Sequence, residues 1–344
     1  MGSMTPNPAK PWIETPLAFS PALSKAAGCN IYLKLENLQP SGSFKSRGVG
    51  NMMFRALAAG PLSQPVHFFC SSGGNAGLAC ATTAAALGCK ATIVVPTSTS
   101  ALMVGKLRTR AAGVDVIQTG ANWAEADGFL RRELLAQAPG GSRAVYVPPF
   151  DHPDIWAGAA TLVDEVAEQM AEPAVPIDAI VCNVGGGGLL NGVLEGLEAR
   201  RMDGVKVLAV ETVGAASLHA SVQAGQLVTL PAITSIATSL GATRVSEKTW
   251  EWAQRSGDRL TSSTVTDGEA ALACVRFLDD EKVLVEVSCG ATVATAYNGD
   301  LRRYLGKGDS DEVWKRKNVV LVVCGGSNVN MDMLIKYKET YGGK

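Results

Sequence analysis

The chain has 344 residues, with 31 Lys and Arg against 32 Asp and Glu for a formal net charge of −1. At roughly 150 residues per domain this length predicts two compact domains. Hydrophobic residues at 47% against charged residues at 18% exclude a disordered chain. With no excess of positive charge to release counterions from a phosphate backbone, nucleic acid is excluded as the partner, and a small molecule is expected.

Eight cysteines stand at positions 29, 70, 80, 89, 182, 274, 289 and 324 without a C-x-x-C pair, and they read as reduced thiols. The longest apolar runs, such as Ala91 to Val95 and Val319 to Cys324, are strand-sized and far short of the roughly 20 residues that span a bilayer. No membrane segment is expected. Met1-Gly2-Ser3 reads as an appended leader before a native start at Met4 and carries no targeting signature, so the expected address is the cytoplasm.

In chain order, the first distinctive segment is Ser41-Gly42-Ser43-Phe44-Lys45-Ser46-Arg47-Gly48. Ser43 is placed as the N-cap of a helix whose first turn holds Lys45. A cation at the positive end of a helix is electrostatically uphill, which lowers its pKa and suits an amine nucleophile or base. A surface lysine that snorkels is the alternative.

From Val66 the pattern alternates. Val66 to Cys70 reads as strand and Asn75 to Leu87 as helix. Ala91 to Val95 is a strand, Ala101 to Ala112 a helix and Val114 to Thr119 a strand. A helix from Trp123 to Ala138 and a strand from Ala144 to Val147 extend the series. Such βα alternation with short connections predicts an open parallel sheet with right-handed crossovers. The three prolines of Val147-Pro148-Pro149-Phe150-Asp151-His152-Pro153 mark a domain crossing. A second α/β series follows: a helix near Ile155 to Met170, a strand Ala179 to Val184, a helix Leu189 to Arg200 and a strand Val205 to Val210. Helices are expected around Trp250 and Ala270, with Val319 to Cys324 as the last strand.

Three loops and a thiol carry the chemistry. Cys70-Ser71-Ser72-Gly73-Gly74-Asn75-Ala76-Gly77 joins a strand to a helix, where unpaired N–H groups make an anion site for a carboxylate or phosphate; an ordinary tight turn is the bland reading. Gly185-Gly186-Gly187-Gly188 opens onto a helix and lets backbone wrap a phosphate closely. It matches neither the dinucleotide fingerprint nor the P-loop, so a monophosphate is expected. Cys324-Gly325-Gly326-Ser327-Asn328 follows the last strand, at the carboxyl end where α/β sheets bind ligands. Cys324 either faces a ring nitrogen or is a buried structural thiol. His67, His152 and His219 are isolated in sequence and support neither a zinc site nor a Ser-His-Asp triad.

Taken together, Ser43-Phe44-Lys45, Ser71 to Gly77, Gly185 to Leu189 and Cys324 to Asn328 resemble the L-serine/L-threonine dehydratases, pyridoxal-phosphate enzymes of the tryptophan-synthase-β-like fold (fold type II). Pro148-Pro149-Phe150-Asp151, Leu284-Val285-Glu286 and Cys289-Gly290-Ala291 add matching phrases. The resemblance runs from about Thr15 to about Asn330 and is nearest to the short serine dehydratases. It implies two open twisted α/β domains with the cofactor in the cleft between them: a large domain of residues 1–41 and 148–344, and a small one of residues 42–147.

The resemblance also implies residue roles. Lys45 holds pyridoxal phosphate as an imine and removes the Cα proton of the substrate. Phe44 packs on the ring, Asn75 bonds its 3-hydroxyl, Gly185, Gly186, Gly187, Gly188 and Leu189 bind its phosphate, and Cys324 faces its ring nitrogen. Ser71, Ser72, Gly73, Gly74 and Asn75 form the substrate carboxylate loop. A monovalent cation, potassium for instance, is implied at Gly185, Glu211, Ala215, Ser217, Leu240 and Ala242; for Glu211, capping of a neighbouring backbone is the alternative. The expected reaction is β-elimination from serine or threonine, with the cofactor phosphate as the acid for the departing hydroxide, in a homodimer. Serine racemases carry a second serine as base at the position of Gly73, which cannot move a proton. A β-replacement synthase and a silent phosphate-ligand sensor are the remaining rivals, and the presence of Lys45 weighs against the sensor.

Overall fold

A computed structural model describes residues 9–61, 64–110, 113–137, 141–171 and 175–343. Met1-Gly2-Ser3 and the expected helix ends at Ala112 and Ala138 lie outside the described residues. Ten strands are present among them: β1 (Leu17–Phe19), β2 (Asn30–Lys34), β3 (Val66–Cys70), β4 (Lys90–Val95), β5 (Val114–Gln118), β6 (Arg143–Tyr146), β7 (Ala179–Asn183), β8 (Lys206–Thr212), β9 (Leu260–Val265) and β10 (Asn318–Val322). They form two sheets. The smaller has the order β5-β4-β3-β6 and is parallel throughout. The larger has the order β1-β2-β10-β7-β8-β9, with β1 antiparallel to β2 and the other pairs parallel.

The strands β7 (AIVCN) and β10 (NVVLV) are buried at every residue. Continuous apolar strands of this kind belong to parallel sheets covered on both faces. The helices Pro153–Ala171 and Gly188–Ala199 pack against each other on the larger sheet, contributing Leu162, Val163, Val166, Leu190, Val193 and Leu197 to its core. The smaller sheet packs Phe68, Ile93 and Val95 against Val49 and Met53 of the helix Lys45–Ala58. Ile155 of Pro153–Ala171 joins the same cluster.

This topology places the motifs. Parallel strands present their carboxyl ends at one edge, and β2, β10 and β7 are neighbours. The Lys45 segment follows β2, the tetraglycine follows β7 and Cys324 follows β10, while Ser71 to Gly77 follows β3 in the other sheet. A ligand crevice outside the carboxyl ends of the strands is the expected outcome.

Several elements differ from expectation. The helix expected from Trp123 is α-helical over Trp123–Phe129 and then widens into a π-helix over Leu130–Leu135. Ser43 does not cap the helix of Lys45: Phe44 occupies the N-cap position with helical φ −50 and ψ −20, and no side chain caps it. The cause is tethering of the segment by backbone, since Ser43 pairs with Gly325 and Phe44 N donates to Cys324 O at 3.1 Å. The residues after β10 form a further helix, Met331–Tyr341, capped by Asn330 and packed on Asp267–Glu281. Among the described residues no helix is long and apolar enough to cross a membrane, and all eight cysteines are free.

Candidate active site

Lys45 opens the helix Lys45–Ala58, and the start of that helix is fixed by its neighbour Arg47. Arg47 is fully buried. Its Nε and Nη2 donate to the two oxygens of Glu36 at 2.8 and 2.7 Å, and Nη1 and Nη2 reach Glu165 at 2.5 and 2.6 Å. Lys34 completes the cluster, donating to Glu165 at 2.7 Å. Two cations and two carboxylates thus lock the helix to β2 and to Pro153–Ala171.

The Lys45 Nζ donates to the carbonyl of Pro149 at 2.6 Å and lies 5.2 Å from the centroid of the Phe44 ring. Its amine falls from the usual lysine range to about 8, chiefly through burial, with Cys70, Cys324 and Glu286 opposing the shift. The direction agrees with the sequence reading, but loss of solvent rather than the helix end is the leading cause.

The tetraglycine is shaped by the protein around it. A Cβ on Gly186 would stand 2.3 Å from the Phe150 ring, and one on Gly188 would stand 2.9 Å from the Phe150 carbonyl. Gly187 adopts φ +98 with Thr249 Oγ1 1.8 Å from an ideal Cβ, a position that admits only glycine. Carbonyls of the loop turn inward: Gly186 O accepts from Ser246 N at 3.0 Å and Gly187 O from Asn191 N at 2.8 Å. Among the described residues, the amides of Gly186, Gly187, Gly188 and Leu189 have no protein acceptor. Four free donors at the amino end of Gly188–Ala199 fit a phosphate monoester.

Asn75 opens the helix Asn75–Ala86 and reaches across to the larger sheet. Its Nδ2 donates to Glu286 Oε1 at 2.9 Å and Ser239 Oγ at 3.4 Å, and its Oδ1 accepts from Ser327 N at 2.9 Å. Glu286 also accepts from Asn328 N at 3.1 Å, and burial pushes its carboxyl up. Lys106 donates to the Ser327 carbonyl, so the small-sheet side chains Asn75 and Lys106 hold both backbone groups of one residue after β10. Glu286, Ser239 and Lys106 were not identified as site residues from sequence. A carboxylate inside the apolar phrase Leu284-Val285-Glu286-Val287 was the available signal for Glu286.

The loop before Asn75 departs from expectation at one residue. Ser71 is fully buried and its hydroxyl donates to Asp127, so this side chain is withdrawn from the cleft. Ser72 is partly exposed, its Oγ accepting from Gly74 N at 3.3 Å. A Cβ on Gly73 would meet Thr99 Cγ2 and Oγ1 at 2.7 Å, whereas Gly74 has nothing nearer than 4.0 Å.

Cys324 is buried beneath the same cleft, with Asn183 Nδ2 donating to its Sγ at 3.0 Å. A hydrogen bond with Cys289, reinforced by burial, holds its thiol well above the usual range, so it stays protonated.

Glu211 is buried at the end of β8, and it does cap: Oε1 accepts from Leu218 N at 2.9 Å and Oε2 from His219 N at 2.7 Å. Burial nevertheless raises its carboxyl to about 8. Ser217 Oγ beside it is buried without a partner, and Ala215 is also buried. An ideal Cβ on Gly185 comes 3.2 Å from the Leu240 Cα, and the Leu240 carbonyl accepts from Ala242 N at 2.8 Å. Among the described residues no group of three or more His, Cys, Asp or Glu is arranged to hold a metal.

An amine lowered to about 8 by burial, a run of unpaired amides and a neutral thiol at one sheet edge define a site for a phosphorylated aldehyde. Residues 9–325 match the family described as pyridoxal-phosphate dependent enzyme, and the chain belongs to it. It is 43% identical over 330 residues to the L-serine dehydratase/L-threonine deaminase of Bos taurus, covering 96% of each chain. It is 44% identical to the serine dehydratase-like protein of Homo sapiens, covering 96% of this chain and 95% of the other. Among solved structures, a fungal L-serine ammonia-lyase from Rhizomucor miehei superposes with a TM-score of 0.85 at 37% identity, covering 97% of this chain and all of that one. Maize serine racemase superposes at 0.80 with 27% identity, covering 95% and 92%.

Proposed function

We propose that this chain is an L-serine ammonia-lyase that also accepts L-threonine, releasing ammonia with pyruvate or 2-oxobutanoate. The observation that carries the reading is Lys45, whose amine at about 8 stands at the convergence of the loops after β2, β3, β7 and β10.

Pyridoxal phosphate, when bound, supplies the electron sink that makes the substrate Cα–H acidic. The rest is the work of this chain's residues. The amides of Gly186, Gly187, Gly188 and Leu189, with Gly185 at the entry, would hold the phosphate. Phe44 would pack on the ring, Asn75 would lie on its hydroxyl side, and the Cys324 thiol, kept neutral, would offer the ring nitrogen no charged partner. The amides of Ser72, Gly73 and Asn75, which have no protein acceptor among the described residues, would grip the substrate carboxylate. Lys45 Nζ, neutral in a useful fraction near pH 7 to 8, takes the Cα proton. The Cα–H and Cβ–O bonds of the substrate would break, the hydroxyl leaving as water on gaining a proton, and hydrolysis of the released enamine would consume one water and free ammonia.

The reading extends to a monovalent cation at Gly185, Glu211, Ala215, Ser217, Leu240 and Ala242, supported by the orphaned Ser217 hydroxyl. It also includes a domain division with residues 42–147 as the small domain, and a cytoplasmic homodimer.

Purified protein loaded with cofactor should absorb visible light and bleach on borohydride, and Lys45→Ala should not. L-Serine and L-threonine should yield 2-oxoacid while the D-isomers do not. Sulfide with O-acetylserine giving cysteine, with no oxoacid from either L-amino acid, would replace the lyase by a synthase.

A further inference from the structure

The two acceptor and donor groups of Ser71 that leave the β3 ladder are both taken by one helix. Its hydroxyl donates to Asp127 Oδ1, and its carbonyl accepts from Trp123 Nε1 at 2.7 Å. Asp127 and Trp123 lie on Trp123–Phe129, one helical turn apart on the same face. Asp127 is 8% exposed and is itself held: Tyr146 OH donates to Oδ1 at 2.7 Å and Arg131 Nε to Oδ2 at 2.7 Å. The Arg131 guanidinium lies 3.9 Å from the Tyr146 ring centroid. The helix is seated on the sheet through Ala126 and, just beyond it, Leu130, which pack on Phe69 and Val94.

The other side of the loop is pinned as well. An ideal Cβ on Gly77 would lie 1.9 Å from the Ser72 carbonyl oxygen, so the loop is folded tightly onto the helix Asn75–Ala86. Between these two anchors the amides of Ser72, Gly73 and Asn75 have no protein acceptor among the described residues.

We infer that Asp127, with Trp123 as its companion, is a positioning residue for substrate recognition: it clamps Ser71 so that the free amides of the loop are aimed at the substrate's carboxylate. This rests on the reading of Ser72 to Asn75 as the carboxylate loop. Preorganised donors of this kind gain affinity because their ordering precedes binding. The clamp touches neither Lys45 nor the tetraglycine, so it acts on the carboxylate and not on cofactor retention.

The test uses the cofactor-loaded protein and two non-reacting amines, L-alanine and L-alaninol, which differ by the carboxylate. Their dissociation constants are read from the visible spectrum, and cofactor affinity is titrated in parallel. Wild type should prefer L-alanine. Ser71→Ala and Asp127→Asn should each lose about tenfold in that preference, while cofactor affinity stays within twofold and binding of alaninol is unchanged. The double variant should lose no more than the worse single, as expected of coupled partners. Trp123→Phe, at a half-exposed position where folding is safe, should lose about threefold. Variants that keep the full preference for L-alanine overturn the clamp. A wild type that binds both amines equally overturns the carboxylate-loop reading instead.

Discussion

Arg47 and Glu36 face each other through two parallel N–H···O bonds of 2.8 and 2.7 Å, with both side chains fully shielded from water. Neither charge has a route to solvent, so each depends on the other and on the Glu165 and Lys34 pair beside them. Because Arg47 lies two residues from Lys45, the same cluster that stabilises the fold also sets the origin of the nucleophile's helix.

Arg47→Met should therefore destabilise strongly, by about 3–5 kcal/mol, because it leaves Glu36 buried without its cation. Urea denaturation measures this. A loss below about 1 kcal/mol, the scale of exposed pairs, would mean that water reaches the cluster.

Gly73 presents a different kind of constraint. Its ideal Cβ lies 2.7 Å from Thr99 Cγ2 and Oγ1, so Gly73→Ala overpacks and should cost about 1–3 kcal/mol. Thr99→Ala in the same chain should recover most of the loss, a non-additivity expected of residues in contact. Thermal unfolding of the two single variants and the double decides it. Strict additivity would show that Thr99 is not what Gly73 avoids.

Much of this architecture was legible in the sequence, and the reason differs from element to element. β7 and β10 are continuous apolar runs buried on both faces, and the tetraglycine is conspicuous because Gly187 needs φ +98. β1, β2 and β9 carry no apolar run to mark them: Leu17–Phe19 is three residues long, Asn30–Lys34 has a polar residue at each end, and Leu260–Val265 is rich in Ser and Thr. Asp127 was invisible because its role depends on Ser71 and Tyr146, which are 56 and 19 residues away in the chain. Ser71 illustrates the same limit in reverse. Its type and place suit a substrate contact, and only the fold reveals that its hydroxyl is spent on Asp127.

The Lys45 amine, lowered to about 8 by burial, predicts how the cofactor-free protein takes up its aldehyde. Imine formation needs the unprotonated amine, so below pH 8 the uptake rate should rise about tenfold per unit and then level off. An ordinary lysine would keep rising toward pH 10. Stopped-flow absorbance between pH 6.5 and 10 separates the two, and a profile with no break near 8 would contradict the burial argument.

Glu211 carries the opposite sign. Its carboxyl is raised to about 8 in the fold from an ordinary value of 4.5, so between those values the unfolded chain releases a proton that the folded chain keeps. Its contribution to stability is present below pH 4.5 and is lost as pH rises through 8. A cation at this position requires the ionised carboxylate. Stabilisation by potassium chloride over tetramethylammonium chloride at equal ionic strength should then grow from pH 6 and level off above 8. Replacing the carboxyl by an amide, Glu211→Gln, should remove that dependence on pH while retaining one of the two caps, because its Oε1 still accepts a backbone amide. Melting temperatures across pH 6 to 9 give the answer. Potassium that stabilises wild type and Glu211→Gln alike at every pH would place the ion elsewhere.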